Sequence, residues 1–332
     1  MSDQPKISFH DGNSIPQVGL GVWQTPNDTA APAVRAALAA GYRHVDTAAV
    51  YENEEGVGEG LVSSGVARSD IFLTTKLWND RQGFDSTLKA FEESLKRLKT
   101  DYVDLYLIHW PSPHRKAYVE TWKAFIRLKE EGRAKSIGVS NFEPDHIDRL
   151  ISETGVTPVI NQIELHPNFQ QKAARAAHEK LGIATQSWSP LGQGTLLSDP
   201  AIGAIAAKHG RTPAQVIIRW HIQSGLVVIP KSVTPSRIEE NFQVFDFTLN
   251  HEDMAAIAVL DKASGRIGPD PMTARPDVGN LRRMASMAAP SPLPASKWAR
   301  SSMPGLCPTI RIGVSAGSMD RNTSSRRAAG AS

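Results

Sequence analysis

The chain has 332 residues, 40% of them hydrophobic, a formal net charge of +3 and one cysteine, Cys307. That is enough apolar material for one large barrel or two medium domains, and it excludes an internal disulfide framework or a thiolate metal cluster. No apolar run approaches the roughly 20 residues of a bilayer span, and "MSDQPKISFHDGN" lacks the basic start and apolar run of a signal peptide. A cytoplasmic protein without a membrane partner is expected. The charge is unevenly placed. Nine basic residues against Asp277 and Asp320 give residues 273–332 a charge of +7, leaving residues 1–272 at −4. A mildly acidic body argues against a nucleic-acid face. The Ala-, Ser-, Pro- and Arg-rich segment 273–332 lacks apolar periodicity and reads as a disordered tail on a single domain spanning 1–272.

In chain order, "KISFHDGNSIPQ" places an Asp-Gly-Asn turn between two strand-like runs and predicts a hairpin plugging the base of the main sheet. "QVGLGVW" (17–23) then precedes "NDTAAPAVRAALAAG", a helix for which Asn27 or Asp28 is a candidate cap and Gly41 the stop. "YRHVDT" precedes "NEEGVGEGLVSSG". "IFLTTKLW" (71–78) leads into a helix with Leu88, Phe91, Leu95 and Leu98 at helical spacing. "YVDLYLIHW" (102–110), "AKSIGVSNF" and "PVINQIELHP" are each followed by an amphipathic segment. "IATQSWSPL" (183–191) precedes two helical stretches, and "LVVIPKS" (226–232) precedes "TPSRIEENFQVF". "HEDMAAIAVLD" (251–261) is a last helix. Eight strand–helix units over this length predict an α/β fold, a (β/α)8 TIM barrel with an N-terminal β-hairpin and extra helices.

In such a barrel the C-terminal strand ends share one rim, where reactive groups gather. The ends of the second, third and fourth strands carry Asp46, Lys76 and His109, with Tyr51 in the loop after Asp46. Singly, each has an ordinary structural explanation; together, on three adjacent strand tips, they form a chain of proton chemistry. A free tyrosine, with a pKa near 10, is a weak acid at neutral pH. An ammonium beside it is expected to lower that value, and Asp46 to keep Lys76 charged. Tyr51 then serves as general acid, and His109 orients a carbonyl oxygen. The set suits carbonyl reduction, in which hydride reaches carbon while a proton reaches oxygen.

A hydride donor must then bind. No G-x-G-x-x-G follows any strand, so a Rossmann site is not expected. "IPKSVTPSRIEEN" (229–241) instead ends the eighth strand with Lys231 and Ser232. It opens a helix with Thr234 as cap, Pro235 at the first position and Arg237 in the first turn, a phosphate site favouring NADPH over NADH. A basic first turn that is merely exposed is the plain alternative. Ser140, Asn141 and Gln162 lie at strand ends where a carboxamide is within hydrogen-bonding reach, and Trp188 is placed either to stack on a flat ring or to pack at the rim.

"GLGVWQ", "GYRHVDTAAVYENEEGVGEGL", "TTKLWND", "DYVDLYLIHWP", "GRAKSIGVSNF", "NQIELHP" and "IPKSVTPSRIEENFQVFDF" together resemble the aldo-keto reductase family over residues 7 to 270. "TTKLWND" and "SWSPLGQG" look most similar to the prokaryotic branch that includes 2,5-diketo-D-gluconate reductases. The resemblance implies a catalytic tetrad of Asp46, Tyr51, Lys76 and His109, with Tyr51 as acid. It implies nicotinamide contacts from Ser140, Asn141, Gln162 and Trp188, with Ser189 and Leu191 beside them. It further implies a grip on the adenosine phosphate by Lys231, Ser232, Val233 and Arg237, with Glu240 and Asn241 near the adenine, and a substrate pocket walled by Trp23, Trp78, His109 and Trp110. A metal-free monomer that uses NADPH to reduce small aldehydes, α-keto aldehydes or keto-sugar acids, 2,5-diketo-D-gluconate among them, is the expectation. Two other readings stay open: a Schiff-base aldolase using Lys76, and a non-catalytic NADPH-binding regulatory module. Members of this branch end soon after a stretch like "SGRIGPDP" (264–271), whereas about sixty residues of different composition follow here.

Overall fold

The computed structural model describes residues 4–273 and Arg275. The reading of 273–332 as a disordered tail therefore falls, apart from Thr273 and Arg275, outside the described residues. An antiparallel hairpin, β1 (Lys6–Ser8) and β2 (Ser14–Pro16), comes first, with Ile7 opposite Ile15. Phe9 and Ile15 pack on Leu105, Leu107, Ile160 and Val227, so the hairpin stoppers one end of the sheet as its sequence predicts.

Eight parallel strands follow: β3 (Leu20–Gly21), β4 (His44–Asp46), β5 (Phe72–Leu77), β6 (Val103–Ile108), β7 (Ala134–Ser140), β8 (Ile160–Glu164), β9 (Ala184–Trp188) and β10 (Val227–Val228), hydrogen-bonded in chain order. The first and last strands also meet. Gly19 N donates to Val228 O (2.9 Å), Val228 N to Gln17 O (2.8 Å) and Gly21 N to Pro230 O (3.1 Å), so the sheet closes on itself. Closure needs a glycine at position 21, because a Cβ there would stand 2.8 Å from Ile229 O. Strand β10 is short because Pro230 has no N–H to continue the ladder.

Helices α1 (Asn27–Ala40), α2 (Glu54–Val62), α3 (Phe84–Leu98), α4 (Tyr118–Glu130), α5 (Pro144–Thr154), α6 (Lys172–Lys180), α7 (Pro200–His209), α8 (Pro213–Gln223), α9 (Pro235–Phe242) and α10 (His251–Ala258) cover the outside. In α3 the buried face is Thr87, Ala90, Phe91, Ser94, Leu95 and Leu98; Leu88 is only partly buried at its margin. The start of α1 differs from expectation. Pro26 occupies the cap position, and the Asn27 side chain accepts from Gly56 N (2.8 Å), joining α1 to α2 instead of capping. The extra helices α7 and α8 carry their own start signals: Asp199 accepts from Ala201 N and Ile202 N, and Thr212 forms a capping box with Gln215.

Candidate active site

Strand alternation turns Asp46 and Lys76 toward the barrel interior at its C-terminal rim, where neither is more than 1% exposed. Lys76 Nζ donates to Asp46 Oδ1 (2.5 Å), Thr47 O (2.8 Å) and Tyr51 Oη (3.4 Å), so each of its three protons has an acceptor. Asp46 Oδ2 accepts from Gln162 Nε2 (2.8 Å). Tyr51 ends a short 3₁₀ turn, Ala49–Tyr51, and its ring meets His109 edge-on at 5.7 Å. The structure thus brings together the four residues singled out on the strand tips.

Their electrostatics differ from expectation in one respect. Burial pushes Lys76 down, but the Asp46 charge and the surrounding hydrogen bonds outweigh it, and the ammonium ends above its ordinary 10.5. Burial pushes Asp46 up, opposed by Lys76 and Gln162. For Tyr51 burial is also the largest influence and raises the phenol above 10, with Asp46 adding to the rise and Lys76 only opposing it. The expected net lowering by the ammonium is thus not what the structure shows. Lys76 stands 3.4 Å from the phenol oxygen, a long hydrogen bond, while its own charge is shared with Asp46. Burial and Lys76 both hold His109 well below 6.5, so its imidazole is neutral at pH 7; its Nδ1 is buried without a partner among the described residues.

A cavity of about 630 Å³ opens above this cluster. Asp46, Tyr51, His109, Trp23 and Trp110 stand at one part of its wall, Ser140, Asn141, Gln162, Trp188, Ser189 and Leu191 at another, and Lys231, Ser232, Val233, Arg237, Glu240 and Asn241 at a third. Two residues fall behind this wall. Lys76 is sealed off beneath it, and Trp78, 6% exposed, packs its ring edge-on to His109 at 5.2 Å instead of facing the space.

Asn141 adopts a left-handed backbone (φ 61°), which asparagine tolerates better than most residues. Its Nδ2 donates to His109 O (3.0 Å) and Ser140 Oγ (3.1 Å), and its Oδ1 accepts from Trp188 Nε1 (2.8 Å). At the far end, Thr234 holds the cap position of α9, but its side chain makes no capping bond; instead Thr234 N donates to Ser232 Oγ (3.2 Å). Arg237 is exposed in the first turn. Glu240 is partly committed elsewhere, since its Oε1 accepts from Thr212 Oγ1 (2.9 Å) and ties α9 to the start of α8.

Two further contributors were not singled out by the sequence. Asn53, fully buried, accepts from Thr47 Oγ1 (2.8 Å) and donates to Val22 O and Thr25 O (both 2.9 Å), stapling the Tyr51 loop to the turn after β3. Its place two residues after Tyr51 was the only sequence signal. Glu164, at the end of β8, is 1% exposed and binds backbone N–H groups of residues 267 and 268.

A closed parallel barrel with an Asp–Tyr–Lys–His cluster beneath a long, partly cationic cavity defines a class of enzyme, and comparison with known proteins gives it a family. The aldo/keto reductase family model matches residues 17–262. An aldo-keto reductase of Mycolicibacterium smegmatis (strain ATCC 700084 / mc(2)155) is 61% identical over 269 residues, covering 81% of this chain and 98% of the relative. The methylglyoxal reductase DkgA of Escherichia coli (strain K12) is 54% identical over 273 residues, covering 82% and 98%. Among solved structures, a mutant of Gox0644 in complex with NADPH superposes with a TM-score of 0.80 at 60% identity, covering 82% of this chain and 99% of that one. The chain belongs to the aldo/keto reductase family.

Proposed function

We propose that this chain reduces small carbonyl compounds to alcohols with NADPH, Tyr51 acting as general acid. The observation that carries the reading is the position of Lys76 Nζ, between Asp46 Oδ1 and Tyr51 Oη beneath a cavity whose other end is the N-terminus of α9.

The residues present fit a nicotinamide dinucleotide phosphate. The N-terminal turn of α9, which has no side-chain cap, forms with Lys231, Ser232 and Arg237 a donor set for a phosphate, and the Trp188 indole and Gln162 supply an aromatic and an amide group on the cavity wall. When bound, NADPH supplies the hydride that reaches the carbonyl carbon. The protein's part is the proton. As the carbonyl oxygen gains charge, Tyr51 gives up its phenol proton, and Lys76, kept charged by Asp46, stabilises the phenolate left behind. A neutral His109 orients the carbonyl oxygen without adding a charge that would raise the cost of retaining Lys76. The phenol recovers its proton from solvent once the alcohol leaves.

Small aldehydes, α-keto aldehydes and keto-sugar acids are the proposed substrates, with methylglyoxal foremost because the similar Escherichia coli protein is a methylglyoxal reductase. The aldolase alternative asks Lys76 to attack as a free amine. That nitrogen is fully buried and raised in pKa, and all three of its protons have acceptors. NADPH oxidation followed across methylglyoxal, 2,5-diketo-D-gluconate and simple aldehydes tests the proposal. Turnover is expected in the wild type, with a loss of about 10²–10⁴-fold in Tyr51→Phe and little change in NADPH affinity. Absence of turnover across the panel, or a covalent adduct on Lys76 trapped by borohydride, overturns it.

A further inference from the structure

We propose that Glu164 is a positioning residue for the Trp188 indole, acting through residues 266–269, which its carboxylate clamps against the barrel. The proposal rests on the reading of the cavity as a nicotinamide site. Glu164 lies at the end of β8, two residues beyond Gln162, and its carboxylate is enclosed. Oε1 accepts from Ile267 N (2.5 Å) and His166 Nε2 (3.1 Å), and Oε2 accepts from Gly268 N (2.8 Å). A buried carboxylate needs such donors, because each one missing leaves a charged oxygen without water or partner. The segment and the carboxylate therefore hold each other in place.

What the clamp positions is the indole. A Cβ on Gly268 would stand 2.5 Å from Trp188 Cη2 and 2.8 Å from Glu164 Oε2, so the backbone at 268 lies directly against the outer edge of the ring. The pyrrole nitrogen, further along the same long edge, is fixed by the bond from Trp188 Nε1 to Asn141 Oδ1 (2.8 Å). Asn141 also holds the His109 carbonyl (3.0 Å). The indole is thus held at two points, its pyrrole nitrogen by Asn141 and its benzo ring by the backbone that Glu164 grips. Gly268 and Pro269 line the same cavity as Trp188. Upstream, the segment is anchored by Lys262 N donating to Asn168 O (3.0 Å) and by the Arg266 guanidinium 4.8 Å above the Phe169 ring.

The clamp is readable without activity, because the N–H that Glu164 Oε1 accepts belongs to the Arg266–Ile267 peptide bond, a trypsin site. A protease must bind the chain extended around that bond, which the clamp prevents. In Glu164→Gln one of the two acceptor oxygens becomes a donor facing a donor. Cleavage at Arg266–Ile267 in the full-length protein is expected to accelerate about tenfold, and the Kd for NADPH to rise by a similar factor. Cleavage elsewhere should be unaltered. Gly268→Ala keeps the Glu164 charge but crowds the indole and Glu164 Oε2 together; its KM for NADPH is expected to rise about tenfold while kcat at saturating cofactor changes much less. It carries the test if Glu164→Gln fails to fold. Unchanged NADPH affinity in both variants overturns the proposal, whether or not trypsin cuts faster, since a clamp without effect on the cofactor positions nothing. If the wild type itself does not bind NADPH, the reading of the cavity falls, while the tryptic arm still reports on the clamp.

Discussion

Lys76 Nζ and Asp46 Oδ1 face each other across 2.5 Å at two adjacent strand tips, both side chains shielded from solvent. The pair fixes the only ammonium within reach of Tyr51 among the described residues. Asp46→Asn leaves a buried cation without its counter-charge, and a loss of about 3–5 kcal/mol in unfolding free energy is expected, with carbonyl reduction falling alongside. Adding Lys76→Met in the same chain removes the stranded charge. Most of the stability should return in urea unfolding, and none of the activity. Recovery of both would show that the pair is structural only.

The directions of the pKa shifts at the site set the pH profile. Tyr51 is raised above 10, so the phenol keeps its proton through neutral pH and loses it only as pH rises past that raised value. His109 is held well below 6.5 and stays neutral over the same range. The rate of reduction at saturating NADPH should be flat from about pH 6.5 to about pH 9 and decline only beyond about pH 10. An alkaline limb centred below about pH 8 would mean that Lys76 outweighs burial once the cavity is filled.

Arg237, exposed in the first turn of α9, has no hydrogen-bonding or ionic partner among the described residues that would compete for a phosphate. Arg237→Ala should weaken NADPH by about 10–100-fold, the range of a lost charge-assisted contact, and NADH hardly at all. Equal losses for the two would place the 2′-phosphate elsewhere.

Three histidines outside the site make stability depend on pH. Burial lowers His44 to about 3 and His178 and His221 to about 4, against an ordinary 6.5. Above pH 6.5 each is neutral, folded or unfolded, and contributes nothing. As pH falls from 6.5 toward 4 the unfolded chain takes up protons that the folded one refuses, so stability falls by up to about 1.4 kcal/mol per pH unit for each. The unfolding free energy should therefore drop steeply below about pH 6, and His221→Gln should reduce the slope near about pH 5 by about one proton. An unchanged slope in that variant would mean that His221 already titrates normally in the folded state.

Much of the site was legible because strand periodicity and strand ends are local. "YRHVDT", "FLTTKL" and "YLIH" each place one polar group where a run of core residues stops, and the barrel rule places those stops on one rim. The phosphate end was legible for the same reason, since Lys231, Ser232, Pro235 and Arg237 lie within seven residues of one another. A cap and a tertiary acceptor use the same Asn27 side-chain oxygen, and only the position of Gly56 decides between them. Trp78 has the residue type of a pocket wall, yet its backbone turns it behind His109.

By itself, the sequence determined which residue types sit at the strand tips and that the chain alternates between strand and helix, because both follow from spacing along the chain. Only the tertiary structure decided the acidity of Tyr51 and the partners of Glu164. Desolvation is a sum over neighbours from several strands, and Glu164 meets its backbone donors 103 and 104 residues away. No local pattern encodes either quantity; both depend on which surfaces the closed barrel brings into contact.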